Sequence, residues 1–247
     1  MNQLIDISVV IPAFNAANYI HKALDSVLQQ TLKPKEIIII NDGSSDDLEQ
    51  AIAPYIEHVK YYKQKNSGAA AARNLGVNYT NSEWVAFLDA DDIWHESKLE
   101  TQAQAILNAP SKDISIICSE YRFVNSIDQL ALNKQPVGLT YKKIEVDALL
   151  DNPYLATPTV IINKHLFEVV GGYNETLHTA EDLDLYIRLI MIGDVIRVCG
   201  ELAHCQMSLT SLRSRHEPYE NEIEIYHSLN KDVKYHTYST VINKHIQ

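Results

Sequence analysis

At 247 residues, with 32 acidic against 21 basic side chains and a net charge of −11, the chain can bury one large core or two small ones, and its charge excludes a nucleic-acid backbone as the expected partner. Its three cysteines, Cys118, Cys199 and Cys205, have neither zinc spacing nor the even count of a disulfide framework. The N-terminal Met1-Asn2-Gln3-Leu4-Ile5-Asp6 lacks a signal peptide's basic region, and no apolar run approaches the ~18 residues that span a bilayer; the expected location is cytoplasmic, with peripheral association at the inner membrane face left open.

In chain order, Ile7-Ser8-Val9-Val10-Ile11 reads as a buried strand ended by Pro12, which cannot continue a hydrogen-bond ladder. Asn15 or Asn18 is placed to cap a helix whose Tyr19, Ile20, Ala23, Leu24, Val27 and Leu28 recur at helical spacing. Glu36-Ile37-Ile38-Ile39-Ile40 is a second strand, followed by the turn Asn41-Asp42-Gly43-Ser44 and a helix starting near Asp46. A short strand at 59–62, an Ala-rich helix at 68–77 and a strand at 83–88 follow. Strands alternating with helices imply βαβ units and a mostly parallel sheet, so residues 1–110 read as a nucleotide-binding α/β half.

Beyond it the pattern loosens. Strands are expected at 114–119, 159–162 and 194–198, a loop-rich stretch at 124–140, a short helix at 164–170 stopped by Gly171-Gly172, and a strong helix at 181–192. In the polar tail at 213–247, Ile223, Tyr226, Leu229 and Val233 could line one helical face, packed on the domain or on a second subunit.

The chemistry concentrates at Trp84-Val85-Ala86-Phe87-Leu88-Asp89-Ala90-Asp91-Asp92, where an apolar strand runs into three acids. Ligands of open α/β sheets sit at the carboxyl ends of strands. Clustered carboxylates there raise one another's pKa, a cost that a hard divalent cation carrying phosphate oxygens removes. The alternative is a plain acidic helix start, with Asp91 or Asp92 opening a helix over 93–109. Asp42 at a strand end suits an imide N–H or a ribose hydroxyl, or serves only an Asp-Gly turn. Asn66-Ser67-Gly68 permits close backbone approach, and the helix after it presents Arg73, whose guanidinium suits phosphate. Neither a Gly-x-Gly-x-x-Gly nor a Gly-Lys-Ser/Thr loop occurs, which excludes ordinary dinucleotide and P-loop sites.

These segments together resemble family 2 glycosyltransferases, which have the GT-A fold. The matching elements are Val9-Val10-Ile11-Pro12-Ala13-Phe14-Asn15, Ile39-Ile40-Asn41-Asp42-Gly43-Ser44-Ser45-Asp46, Asn66-Ser67-Gly68-Ala69-Ala70-Ala71-Ala72-Arg73-Asn74, Phe87-Leu88-Asp89-Ala90-Asp91-Asp92, Gly171-Gly172-Tyr173-Asn174-Glu175 and Glu181-Asp182-Leu183-Asp184-Leu185. The resemblance implies a Rossmann-like GT-A domain at 1–212, with a nucleotide-sugar half at 1–110, an acceptor half at 111–212, and a helical C-terminal tail. It implies donor contacts from Pro12, Ala13, Phe14, Asn15, Asp42, Ser67, Gly68, Asp89, Ala90 and Asp91, with Arg73 near the diphosphate. It also implies Mg2+ or Mn2+ held by Asp91, and Asp182 as catalytic base. The acid pair Glu181-Asp182 would equally suit a plain helix N-terminus.

In many relatives a His precedes a Ser by three residues in a loop after the last strand. Here Cys205 precedes Ser208 at that distance and His204 lies one position earlier, so His204 is a candidate ligand only if the loop has gained a residue. The implied reaction is inverting transfer of a sugar from a nucleotide diphosphate, UDP foremost, to a hydroxyl of a saccharide or lipid-linked acceptor, as in cell-surface polysaccharide synthesis. The rivals are a sugar-nucleotide-forming nucleotidyltransferase, disfavoured because Pro12-Ala13-Phe14-Asn15 stands where that class has a Gly-rich basic loop, and a nucleotide-sugar-binding protein without catalysis.

Overall fold

A computed structural model of the protein describes residues 5–124, 141–151, 155–206 and 217–246. The strands are β1 (Ile7–Ala13), β2 (Glu36–Asn41), β3 (Lys60–Lys63), β4 (Trp84–Phe87), β5 (Ile93–Trp94), β6 (Ile114–Val124), β7 (Tyr141–Ile144), β8 (Ile161–Asn163) and β9 (Asp194–Gln206). The helices are α1 (Ile20–Leu28), α2 (Leu48–Ile52), α3 (Ala69–Asn78), α4 (Lys98–Asn108), α5 (Val146–Asp151), α6 (Lys164–Val169), α7 (Glu181–Ile190), α8 (Glu217–Lys231) and α9 (Ser239–Ile246).

The strands form one sheet in the order β3-β2-β1-β4-β8-β6-β9-β5, with β7 added on β9. The block β3-β2-β1-β4 is parallel throughout, with Val10 registered between Ile38 and Phe87, so its four carboxyl ends share one edge. β8 then runs antiparallel to both β4 and β6, while β6 and β9 pair in parallel over a long, irregular ladder.

Alternation along the strands divides the core into two layers. Val9, Ile11, Ile37 and Ile39 pack with Leu24, Val27 and Leu99 on one side of the sheet. Val10, Ile38, Ile40 and Phe87 pack with Ala72 and Val77 of α3 and Leu185 and Leu189 of α7 on the other. Both faces are covered, which is why these strands read as continuous apolar runs rather than alternating ones.

Several expectations are corrected. β1 continues through Pro12, which pairs with Ile40 of β2. Its ladder with β4 has already stopped at Val10, so the missing N–H of Pro12 lies on an unpaired side. No helix follows the acid cluster directly: Ile93 and Trp94 form β5 against β9, and α4 starts only at Lys98. The expected strand at 159–162 begins at Ile161, after a 3-10 turn at Thr157–Thr159. β6 and β9 each outrun their predicted lengths because they pair with each other. The stretch expected to be loop-rich lies, apart from Val124, outside the described residues up to 140, as does the proposed boundary between 212 and 213.

The tail packs on the domain. Ile225, Tyr226, Leu229, Tyr235 and Ile242 form a cluster with Leu150 of α5 and Leu183 and Ile187 of α7. Of the predicted stripe, Tyr226 and Leu229 are buried, but Ile223 is 40% and Val233 77% exposed. The buried face follows the 225–229 register instead, and Val233 has left the helix for a 3-10 turn, where helical periodicity no longer applies.

Candidate active site

The loops after β1 and β2 brace each other by exchanging helix-start bonds. Asn15, expected to cap α1, instead donates its N–H to Ser44 Oγ (2.9 Å) and accepts from the Ser45 N–H (2.8 Å). Asp46, expected to start α2, accepts from the Ala17 N–H at the entry to α1 (2.8 Å). Neither α1 nor α2 has a side-chain cap of its own: Tyr19 and Asp47 occupy those positions, and Asn18 caps nothing. Asn15 is held at a φ of 50°, which leaves the neighbouring Phe14 49% exposed at the sheet edge.

Asp42, at the end of β2, is nearly fully buried. Its carboxylate accepts from Gln64 Nε2 (2.7 Å), the Ser67 N–H (2.8 Å) and the Gly68 N–H (2.8 Å). A carboxylate offers about four acceptor directions, so one is left for a ligand. Asp42 therefore also shapes the glycine loop that starts α3.

Gly43 beside it has a φ of +74°, and a Cβ there would lie 2.7 Å from the backbone N of Asn66. Gly43→Ala is expected to destabilise by about 2 kcal/mol or more, from the left-handed backbone and the contact with a main-chain atom that cannot swing away. Chemical denaturation checks it; an unchanged midpoint would mean that this turn is not rigid.

Arg73 is the hub that joins the two halves. Buried on α3, it donates through Nη2 to Asp89 Oδ1 (2.7 Å) and through Nη1 to Glu181 Oε1 (2.8 Å), and its guanidinium lies 5.4 Å from the Tyr173 ring centre. Burial opposes its charge, but Asp89, Tyr173 and Glu181 more than offset that and hold it protonated. The resemblance implies that Arg73 lies near the diphosphate; both of its terminal nitrogens are engaged with carboxylates. The next residue, Asn74, binds the Tyr173 backbone in both directions, accepting from its N–H (2.8 Å) and donating to its carbonyl (2.9 Å). One turn of α3 thus grips the Asp89 end of β4, the Gly172-Tyr173 turn and the start of α7.

In the acid cluster the three carboxylates have separate environments. Asp89 is paired to Arg73. Asp92 is buried and accepts from the Gln206 N–H (2.8 Å), tying the end of β9 to this loop. Asp91 takes part in no ion pair among the described residues; burial, then the charge of Asp89, pushes its carboxyl up to about 6. Tyr19 donates its hydroxyl to the Asn15 carbonyl (3.2 Å); burial first, then the charges of Asp91 and Asp46, raise its phenol. Ala90 between them is buried.

At the far side, α7 opens on Glu181 and Asp182 directly after Ala180, which adopts the left-handed conformation (φ 59°, ψ 18°). Burial pushes the Glu181 carboxyl up and Arg73 pulls it down, with Asp182 adding to the net rise. Asp182 is partly exposed and accepts from the Leu183 N–H (2.8 Å).

His204 is not in a loop. It lies inside β9, paired with Ile93 of β5, with Nδ1 unbonded and burial lowering its pKa. Cys205, also in β9, is buried as well, and Ser208 lies outside the described residues. No group of three or more His, Cys, Asp or Glu side chains with metal-holding geometry occurs among the described residues. One carboxylate at a strand end nevertheless fits a cation whose remaining ligands are substrate phosphates and water.

The sequence motifs for Arg73, Asn74, Asp89, Tyr173 and Glu181 are therefore one network. Its pairings span up to 108 residues, and no local signal announces them. Glu181 as the arginine's partner and Asn74 as the clamp of the Tyr173 turn are the site residues that sequence reasoning missed.

The fold defines the class. S. aureus TarS in complex with UDP-GlcNAc superposes with a TM-score of 0.78 at 19% identity, over 98% of this chain and 72% of that one. Mannosyltransferase PcManGT from Pyrobaculum calidifontis, in complex with GDP-Man and Mn2+, superposes at 0.72 and 16% identity, over 99% and 70%. At these identities the likeness is one of fold, and the fold is GT-A.

The chain belongs to glycosyltransferase family 2: the family profile, Glycosyl transferase family 2, matches residues 8–165. An Escherichia coli relative, UDP-Glc:alpha-D-GlcNAc-diphosphoundecaprenol beta-1,3-glucosyltransferase WfgD, is 31% identical over 78% of this chain and 74% of its own. An uncharacterized glycosyltransferase of Rickettsia typhi is 29% identical over 76% of this chain, which spans 60% of that protein's length. Membership of this family sets the nucleotidyltransferase reading aside. Among the described residues no helix is long and apolar enough to cross a membrane.

Proposed function

We propose that the protein transfers a sugar from a UDP-sugar to the hydroxyl of a saccharide or lipid-linked acceptor, with inversion and with a divalent metal. The observation that carries this is the Arg73 fork, which ties Asp89 to Glu181 and so brings the strand-end acids and the α7 acids to one edge of the sheet. The names of relatives support the donor and acceptor classes, UDP-glucose and a diphosphoundecaprenol-linked sugar for the E. coli enzyme and UDP-GlcNAc in the TarS complex. The Mn2+ of the mannosyltransferase complex supports the metal.

In this reading Phe14 and Asp42 border the base, with Pro12, Ala13 and Asn15 forming the wall of that pocket. Ser67 and Gly68 offer backbone beside it, and Asp89 and Ala90 border the ribose. Asp91 would hold Mg2+ or Mn2+, with His204, whose Nδ1 is without a hydrogen-bond partner, as a further candidate ligand. When bound, the ion supplies charge neutralisation to the leaving diphosphate. Asp182 accepts the proton of the acceptor hydroxyl as that oxygen bonds to the anomeric carbon. The bond from that carbon to the diphosphate oxygen breaks in the same displacement, its electron pair leaving with UDP. Attack from the face opposite the leaving group inverts the centre. Arg73 acts by fixing Asp89 and Glu181 beside these groups.

The metal assignment is tested through stability. The folded pKa of Asp91, about 6, lies above its ordinary 3.8, so its favourable contribution is present below pH 3.8 and lost as pH rises through about 6. At pH 7.5 the ionised group costs the metal-free fold on the order of 1–3 kcal/mol. Asp91→Asn should therefore raise Tm in chelator, yet abolish the further rise that UDP with Mn2+ gives the parent protein. Equal stabilisation of parent and variant by UDP and Mn2+ would remove Asp91 as the ligand.

A further inference from the structure

We infer that the C-terminal helix α8 is a positioning element for Asp182, acting through Asn221. The inference rests on the reading of Asp182 as the base and adds the part that sets its aim.

The turn before α7 is strained. Ala180 and Asn15 are the two non-glycine residues at positive φ among the described residues, and Ala180 immediately precedes Glu181-Asp182. An L residue with a Cβ avoids this conformation, which persists only where its surroundings over-determine it. No side chain caps α7; its first turn closes through the Asp184 N–H on the Ala180 carbonyl (3.1 Å). The orientation of Asp182 is thus set by whatever holds residues 179–181.

Two contacts do so. On one side Arg73 holds Glu181. On the other, Asn221 Nδ2 donates to Thr179 Oγ1 at 2.5 Å, with the Thr179 carbonyl at 3.5 Å. Thr179 is buried, so this bond is shielded from competing water. Asn221, Ile225 and Leu229 recur every four residues along α8 and so share one face. The same face buries Ile225 and Leu229 against Leu183 and Ile187 of α7. Docking of α8 therefore delivers the amide to the turn, and the amide fixes the backbone from which Asp182 projects. Misplacing a reacting group by about 1 Å can cost ~10²-fold in rate.

The test compares the parent full-length chain with Asn221→Leu, which keeps the approximate size but can neither donate nor accept a hydrogen bond, and with Asn221→Ala. Release of UDP from UDP-GlcNAc with Mn2+ is followed, together with UDP affinity by calorimetry and amide hydrogen exchange. Turnover of both variants should fall about tenfold or more while KM for the donor and UDP affinity stay within twofold, since the donor pocket is untouched. Exchange at the Leu183 and Asp184 amides should accelerate about tenfold, with β1 unchanged. Ile106→Ala, which thins the core on the other side of the sheet without touching the α8 cluster or the turn, should lower Tm but leave the turnover of the folded protein unchanged. Turnover within twofold of the parent in both Asn221 variants, or unaltered exchange at 183–184, overturns the inference. If the parent releases no UDP, the reading of UDP-GlcNAc as donor is what has failed, and the exchange comparison still decides whether Asn221 holds the turn.

Discussion

Asp182→Asn is expected to lower turnover by ~10²-fold or more while UDP-sugar affinity stays within a few-fold. The amide has nearly the same size and can still accept the Leu183 N–H that the carboxylate now accepts at 2.8 Å, so the helix start should survive. It cannot take a proton from an acceptor hydroxyl. Initial rates against donor concentration, with UDP binding measured separately, decide the matter. A parallel collapse of donor binding would make Asp182 a ligand-positioning residue. Near-parental turnover would remove it from the chemistry, and Glu181 or Asp184 would be examined next. Both are already engaged, Glu181 with Arg73 and Asp184 with Arg188.

The largest effect on stability is expected at Arg73. Arg73→Ala leaves Asp89 and Glu181 side by side with no cation, and the Glu181 side chain is only 13% exposed. Removing one partner of a buried ion pair typically costs about 3–5 kcal/mol. For a domain of this size that corresponds to a Tm lower by roughly 10 °C or more. Arg73→Lys should recover little, because one ammonium on a flexible stem cannot reproduce a planar fork that serves two carboxylates at once.

The deficit should also depend on pH. Burial already raises the Glu181 carboxyl, and without Arg73 it rises further. A folded pKa above the unfolded value favours the fold below the unfolded pKa, an advantage that is lost as pH rises through the folded one. The variant should therefore lie closer to the parent near pH 5 than near pH 8. A Tm within 2 °C of the parent, or a deficit that grows on acidification, would refute this account of the hub.

The first half of the molecule was legible in the sequence for a plain reason. β1, β2 and β4 are buried on both faces and each helix on one, so Val9-Val10-Ile11 and Ile37-Ile38-Ile39-Ile40 appear as unbroken apolar runs between helical spacings. The strand-end acids and the glycine turns follow from that order. The errors arose where a residue's partner was remote. Asn15 looked like a cap for its own helix and Asp46 like the start of one, but they serve each other's loops, because two adjacent parallel strands bring those loops into contact. Asp91 and Asp92 looked able to start a helix, but the chain first pairs with β9, and an incoming strand outcompetes a local cap. Ile223 and Val233 matched a helical stripe, whereas the face that is buried was chosen by Leu183 and Ile187 of α7, some forty residues away in sequence.

The sequence by itself determined the βαβ order and the residue types that gather at the carboxyl edge, because hydrophobic periodicity and turn chemistry act over a few residues. Only the tertiary structure decided how those groups are shared: Arg73 to Asp89 and Glu181, Asn74 to Tyr173, Asn221 to Thr179. A guanidinium or an amide carries its donors wherever it lies, and only folding, by removing water and bringing distant backbone within 3 Å, selects the acceptors it will satisfy.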